Sequence, residues 1–561
     1  MNKNLFGGTP GKLVPATNTV NEAGGKAYLR SSRDALAQFA VTGRFNDTFY
    51  VRAEDQLKDV LEQAAQCDPL FVAKTAVYSR RAGRMKDMPA FLLATLATRD
   101  AKLMERAFPL VIDNGKMLRN FVQAIRSGST GRKSFAGKGV LRRCVQQWFD
   151  ARSDADLFHA NIGDKPSLAD VIRLTHVRPP GDSGFAALVD HRDMLATRKT
   201  IVPGTKREPM AWKRRNDTAR SHMLAYLVGR PYDFAKLPPI AQQFELFKLD
   251  ATTEVPNCNF QFLSALPNLT EKQWTEIARR CSWQTLRMNL NTFARHGVFQ
   301  DESMLRAICA RLIDVAEIQR SGVLPYQLMS AYLHVDEALP PGIKMSLAQA
   351  MEQATLNVPK FAGQLAIGVD VSGSMTSASI TGSRKGSTSK MRCVDVASLI
   401  ACSLLRANPT ALVLPFDTSL HIVGAKGTAG ASFARGSVAG SAEALSKFGG
   451  GGTDCSLPLR WLHQEKRKID LVVIVSDNES WFDATSGRGT ATMQAWRLLK
   501  LHNPTAKLVC IDLTPHKTTQ AVNEKDVANV GGFSDEVFEF LAAFASGDGQ
   551  WAERIEATQL P

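Results

Sequence analysis

From about residue 29 to 358, apolar residues recur three and four positions apart, as in Leu305, Ile308, Cys309, Leu312 and Ile313. This is the pattern of helices with one buried face. The spacing predicts helices over Arg33–Val41, Ala53–Cys67, Pro69–Arg81, Met88–Val111, Gly115–Arg126, Val140–Arg152 and Ser167–His176. It continues over Arg214–Val228, Thr270–Cys281, Trp283–His296, Glu302–Arg320, Pro325–His334 and Ile343–Leu356. Ser167 with Asp170, and Thr270 with Gln273, stand where capping boxes start two of them. Successive helices with mostly short polar connections predict a HEAT-like solenoid of stacked pairs; no exact repeat fixes its period.

After Pro359 the pattern changes. Short apolar runs such as Leu365–Val369, Ala411–Pro415, Asp470–Val475 and Lys507–Leu513 alternate with helical stretches. They read as strands buried on both faces of a parallel sheet. The fold expected is therefore multidomain: an α-helical solenoid over 29–358, then a doubly wound, Rossmann-like α/β domain over 362–546. Residues 1–28, rich in Gly, Asn, Thr and Pro, are expected to be a flexible arm, and 547–561 a C-terminal tail. A chain of 561 residues exceeds one ordinary core, in keeping with this division.

The first strand of the second part runs into Asp370-Val371-Ser372-Gly373-Ser374. One carboxylate and two hydroxyls at alternate positions, at the carboxyl end of a buried strand, form a set of hard oxygen donors suited to magnesium. Two further segments should meet that edge. Thr453 follows the glycines Gly449–Gly452, which let the backbone approach closely, and Asp477 follows the strand ending at Val475. Asp370, Ser372, Ser374, Thr453 and Asp477 are thus the expected metal ligands. Ser372 stands where a phosphatase of the Asp-x-Asp type needs its second acid, and no histidine adjoins a motif serine, so no catalytic residue is assigned. Gly11-Lys12 lacks the spacing of a phosphate-binding loop.

Charge divides the chain as sharply as periodicity does. The formal net charge is +15, from 69 basic and 54 acidic residues. Residues 361–561 hold 19 of each, so the whole excess lies in 1–360. An excess confined to one region points to a polyanion-binding face there. Basic residues gather at Arg80, Arg81, Arg84 and Lys86, again at Arg126, Arg132, Lys133, Lys138, Arg142 and Arg143, and again between Arg198 and Arg215 around Trp212. Any one such group is usually a solvated face; three within the charged region favour phosphate contacts. Arg173 and His176 lie one helical turn apart and reach one surface. The nine cysteines include no Cys-x-x-Cys pair, and neither a signal core nor an 18-residue apolar run is present. A cytoplasmic protein without membrane contact is expected.

The order Asp-x-Ser-x-Ser, glycine-threonine loop and later aspartate is similar to the metal-ion-dependent adhesion site of von Willebrand factor A domains. With a basic helical module before it, the chain resembles the Ro autoantigen, or TROVE-module, family, as a bacterial or phage member. The likeness rests on Leu36–Gly43 with Thr48-Phe49-Tyr50, on Gly139–Arg143 with Trp148-Phe149, on Asp170–Pro179, and on Asp370–Met375 and Gly450–Leu457. The resemblance implies a non-enzymatic, monomeric ring bridged by the A domain. Small structured Y-like RNAs would bind its outer surface, and single-stranded ends of misfolded noncoding RNAs would enter its hole, in RNA quality control alongside an exoribonuclease or other processing protein. It implies RNA contacts by Arg173 and His176, with Arg142, Arg143, Lys138, Arg126, Lys133 and Arg84 in the basic clusters around them. Between Phe149 and Ser167 the chain departs from the family, carrying Asp150, Asp154, Asp156 and Asp164. The alternative is an adaptor whose A domain captures a partner's carboxylate through magnesium.

Overall fold

The computed structural model describes residues 14–561 apart from 22, 43–52, 132–133, 136–138, 164, 181–216, 251–253, 378–390, 422–435, 479, 481–488, 515–517, 534 and 548–549. The helical run opens with α1 (Ser32–Thr42), α2 (Ala53–Gln66), α3 (Pro69–Arg81), α4 (Asp87–Arg99) and α5 (Ala101–Val111). Next come α6 (Gly115–Ser127), α7 (Val140–Asp150), α8 (Asp154–Ala160) and α9 (Leu168–Thr175). Further helices continue to Pro341–Ala354. Helices pack on their near neighbours in sequence, α3 on α4 and α5, α4 on α6, α5 on α7 and α7 on α9, which is the layering of a solenoid.

Side-chain caps cut the long periodic stretches into shorter helices. The stretch predicted as one helix over Met88–Val111 breaks at Asp100, whose extended backbone lets its carboxylate accept from the amides of Lys102 and Leu103. Glu302–Arg320 divides likewise at Asp314, which caps Val315–Ser321. Trp283–His296 divides at Asn289. In each case the apolar spacing runs through the break, so periodicity alone hides it. Helix α8 and helix Pro239–Leu249 were not predicted; α8 starts at a capping box of Ser153 and Asp156.

The described residues before α1 are not a loose arm. β1 (Thr19–Val20) pairs antiparallel with β2 (Lys26–Leu29), and β2 pairs with β7 (Thr518–Thr519) of the C-terminal domain. Val14 and Tyr28 are buried in that domain's core. The expected tail likewise forms helix Trp551–Glu556, with Trp551 and Ile555 buried. Both corrections share a cause: a few apolar side chains dock on a surface formed elsewhere, and such short segments carry no periodic signal of their own.

The C-terminal domain is a five-stranded parallel sheet in the order β4 (Leu412–Phe416), β3 (Leu365–Asp370), β5 (Leu471–Ser476), β6 (Lys507–Asp512), β8 (Val527–Gly531). Alternate residues serve opposite faces. Leu365, Ile367, Val369, Val473 and Val475 join the core that includes helix Cys393–Ala407. Ala366, Val472, Ile474, Leu508 and Cys510 pack with Leu459 and Trp496. Strand order reverses between β3 and β5, the position where open α/β sheets bind ligands.

This domain touches both ends of the helical run. Helix Trp551–Glu556 packs on α1 and α3, and Tyr78 meets Trp551 edge to face at 6.2 Å. At the other end helix Pro325–His334 packs on Cys393–Ala407, Tyr326 meets Phe533 at 5.3 Å, and Arg406 pairs with Glu352 at 2.7 Å. One apolar cluster extends from Leu36 to Ile555 across both parts. The helical run is thereby closed into a ring through the C-terminal domain.

Candidate functional site

At the carboxyl end of β3, Asp370 and Ser372 are buried together with Thr453 and Asp477. Asp370 accepts from the Ser372 amide at 2.9 Å, and the Ser372 and Ser374 hydroxyls lie 3.3 Å apart. The glycine loop is stitched to this turn: the Gly373 amide donates to Gly451 at 2.8 Å, and the Gly450 amide donates to Val371 at 2.9 Å. Gly449 has φ +76, and a Cβ there would lie 2.4 Å from the Val371 carbonyl oxygen, so only glycine fits. The third segment closes on the loop through Ser480, which donates to the Thr453 carbonyl at 3.1 Å. The structure thus brings the three sequence-predicted segments to one rim.

Two residues of the rim escaped the sequence reading. Ser476, the last residue of β5, donates to the second carboxylate oxygen of Asp370. Asp417, after β4, accepts from the Gly451 amide at 3.2 Å and holds His421 at 3.0 Å, fixing the glycine loop from beneath. Their roles follow from strand order, which no local motif encodes. Burial, then the neighbouring charge of Asp477, pushes the Asp370 carboxyl above its usual range. Two buried acids facing one another among hydroxyls form a donor set that fits a hard divalent cation.

Beside this rim the N-terminal segment adds a charge of its own. Arg30 reaches Asp512 at the end of β6, 3.1 Å away, with both side chains almost wholly buried. Burial pushes Asp512 up to about 7, the Arg30 charge pulling the other way. Asn21 donates to the Ser480 carbonyl at 2.8 Å, tying the same segment to the loop that follows Asp477.

In the helical part, the residues assigned to RNA contact separate into groups. His176 ends α9 in the left-handed conformation, φ 56, close to Arg142 of α7. Burial, then Arg142 and Arg178, hold its pKa below the ordinary value. Arg173, exposed on α9, lies 3.7 Å from Asp170 and donates to the Val228 carbonyl at 2.8 Å; Arg126 lies near the same Asp170. Arg142, Arg173, His176 and Arg126 therefore share one region, and Arg178, not singled out from the sequence, belongs with them. Arg143 points elsewhere, in a bidentate pair with Glu105 of α5 at 2.7 and 2.9 Å. Arg84, φ 51, stands apart in the α3–α4 connection beside Gly322. Lys133, Lys138 and the basic stretch around Trp212 lie outside the described residues. Trp148 is a core residue, its indole N–H donating to Ile112 at 2.9 Å. No helix among the described residues is long and apolar enough to cross a membrane.

Comparison with known proteins agrees with this division. The family model of the Ro60 von Willebrand factor A domain matches residues 364–545. RNA-binding protein RO60 of Deinococcus radiodurans is 26% identical over 563 residues, covering 94% of this chain and 95% of that protein. The Caenorhabditis elegans protein of the same name is 27% identical over 194 residues, 32% of this chain and 28% of its own length. The crystal structure of the Deinococcus radiodurans Ro (RSR) protein superposes with a TM-score of 0.53 at 21% identity, covering 92% of this chain and all of that one, a likeness of fold.

Proposed function

We propose, from its likeness to the Ro family, that the chain is a cytoplasmic, non-enzymatic RNA-binding protein of that family. The observation that carries the reading is the coincidence of two things. The entire +15 excess lies in residues 1–360, and that region is a helical run closed by the A domain, in a chain matched over 94% of its length by a protein named for RNA binding. Small structured, Y-like RNAs dock on the face bearing Arg142, Arg173, His176 and Arg126; single-stranded ends of misfolded noncoding RNA enter the ring, in RNA quality control with a processing enzyme as partner. Arginine supplies bidentate phosphate contacts there, and shape selects the free end.

At the A-domain rim, Asp370, Ser372, Ser374, Thr453 and Asp477 hold a magnesium ion. The ion offsets the mutual repulsion of two buried acids and leaves room for waters or a partner's carboxylate. The rim serves docking rather than catalysis in this reading.

The test is RNA binding against salt. Affinity should fall with a log–log slope of magnitude about 0.7 per phosphate neutralised on a single strand. Arg173→Ala with His176→Ala should weaken stem-loop binding more than binding of free 3′ ends. Salt-independent affinity overturns the electrostatic mechanism, and equal losses overturn the two-site assignment. Protein purified at low salt without nucleic acid favours the adaptor instead.

A further inference from the structure

Helices α5 to α8, with Gln261, line an open cavity of about 880 Å3, distinct from the basic face at the end of α9. One wall is apolar, formed by Phe108, Pro109, Ile112, Trp148 and Ile162. The other carries Lys116 and Arg119 of α6 and Arg152 after α7, with the amides of Gln147 and Gln261 beside them. Gly115 is what allows α8 to close against α6: a Cβ there would lie 2.6 Å from the Ala160 carbonyl oxygen.

The charges that line the cavity do not cancel. Two of the three acids pair with arginines outside the cavity, and the third keeps its charge near Arg152. Glu105 holds Arg143, Asp113 holds Arg80 with two contacts of 2.9 Å, and Asp156 is turned into the Ser153 cap at 2.7 Å. Arg152 instead donates to the carbonyls of Trp148 and Asp113, both at 2.7 Å, with its guanidinium 3.7 Å over the Trp148 ring. Carbonyl acceptors do not cancel its charge, although Asp156 and Asp113 nearby offset part of it. Among the described residues no carboxylate pairs with Lys116, which is exposed and has Lys86 for a neighbour. Apolar side chains, a lysine without a carboxylate partner among the described residues, and two amides in one lining suit a ligand with a planar body and a phosphate.

We propose that this cavity is a nucleotide pocket, taking one unpaired nucleotide with its phosphate against Lys116 and Arg152 and its base along the Ile112–Trp148 wall. The pocket rests on the RNA-binding reading and gives it a second, single-strand-selective site. Gln147 and Gln261 face the base edge, and Arg152 on the indole presents a planar cation for stacking.

The test uses the full chain, a fluorescein-labelled oligouridylate carrying one 4-thiouridine, and a labelled stem-loop without unpaired ends. Lys116→Glu should weaken the single strand about tenfold at low salt and shorten its salt slope by about 0.7, leaving the stem-loop within about twofold. Gln147→Trp, which fills the cavity without changing charge, should weaken the same strand. Photocrosslinks should map between residues 105 and 162. Uridine monophosphate that displaces the crosslink identifies free nucleotide as a ligand; a crosslink that survives it identifies the strand alone. Both residues are exposed, so unchanged melting temperatures will report intact folding. A loss with Lys116→Glu but none with Gln147→Trp places the strand on the surface and overturns the pocket. So do equal affinities in all three proteins. If the unsubstituted protein binds no oligonucleotide, the RNA reading itself falls.

Discussion

Asp370 has both carboxylate oxygens engaged, one by the Ser372 amide and one by Ser476, and is fully buried beside Asp477. A carboxylate so placed gains from a cation more than a surface acid does, because burial weakens the competition of water. Adding magnesium should therefore raise the melting temperature by a few degrees once the ion is well above its dissociation constant. Asp370→Ala should abolish that rise, and chelation should reverse it in the unsubstituted chain. A scan indifferent to magnesium in the unsubstituted protein refutes the metal reading. The residues in this prediction were legible because each motif is local: Asp370, Ser372 and Ser374 span five positions, and Thr453 announces itself by the glycines before it. Ser476 and Asp417 were not legible. Their contacts cross from β5 to β3 and from β4 to the glycine loop, so they exist only after register and strand order are set. On the helical face the sequence grouped Arg142 with Arg143, as neighbours in a basic run. Adjacent helical positions diverge by about a hundred degrees, and the structure turns one toward His176 and the other toward Glu105.

At the scale of elements, the segment ending at Arg30 behaves as part of the A domain although it precedes every helix of the ring. Arg30→Ala removes one half of a buried pair and leaves Asp512 without its compensating charge. The expected loss is about 3–5 kcal/mol in urea unfolding. Its pH dependence has a definite sign. The Asp512 carboxyl is already raised to about 7, above its unfolded value, so the native state favours the proton. The penalty for ionising it is absent at low pH, where the acid is neutral in both states, and grows as pH rises toward 7 and beyond. The deficit of Arg30→Ala should be larger at pH 8 than at pH 5.5, and a pH-independent deficit would show that packing, not charge, links the segment to the sheet. Helix ends were the weak point of the sequence reading for a related reason. Asp100 and Asp314 stop helices by offering their carboxylates to the next helix's amides, a backbone decision that leaves the apolar spacing unbroken.

For the whole molecule, the fold class followed from two periodicities and the change between them at Pro359, whereas the closure of the ring did not. It depends on single side chains from distant parts of the chain, among them Trp551 against Tyr78 and Phe540, the latter at 4.6 Å. Trp551→Ala should cost about 3–5 kcal/mol, as for other buried tryptophans. It should also expose the α1–α3 end to limited proteolysis before the sheet is cut. Cleavage that begins in the A domain would mean that the contact does not hold the ends together.

That same clasp sets an order of events during synthesis. Arg30 and its partner Asp512 are 482 residues apart, and Lys74 donates to a carbonyl of Glu556 across an equal span. At roughly 5–20 residues per second, the N-terminal hairpin waits about 25–100 s before Asp512 is synthesised. The helical repeats form from near neighbours and need no such delay. During translation the helical run is thus an open crescent with its N-terminal hairpin undocked, and it shuts only once the last strands and helices of the C-terminal domain are made.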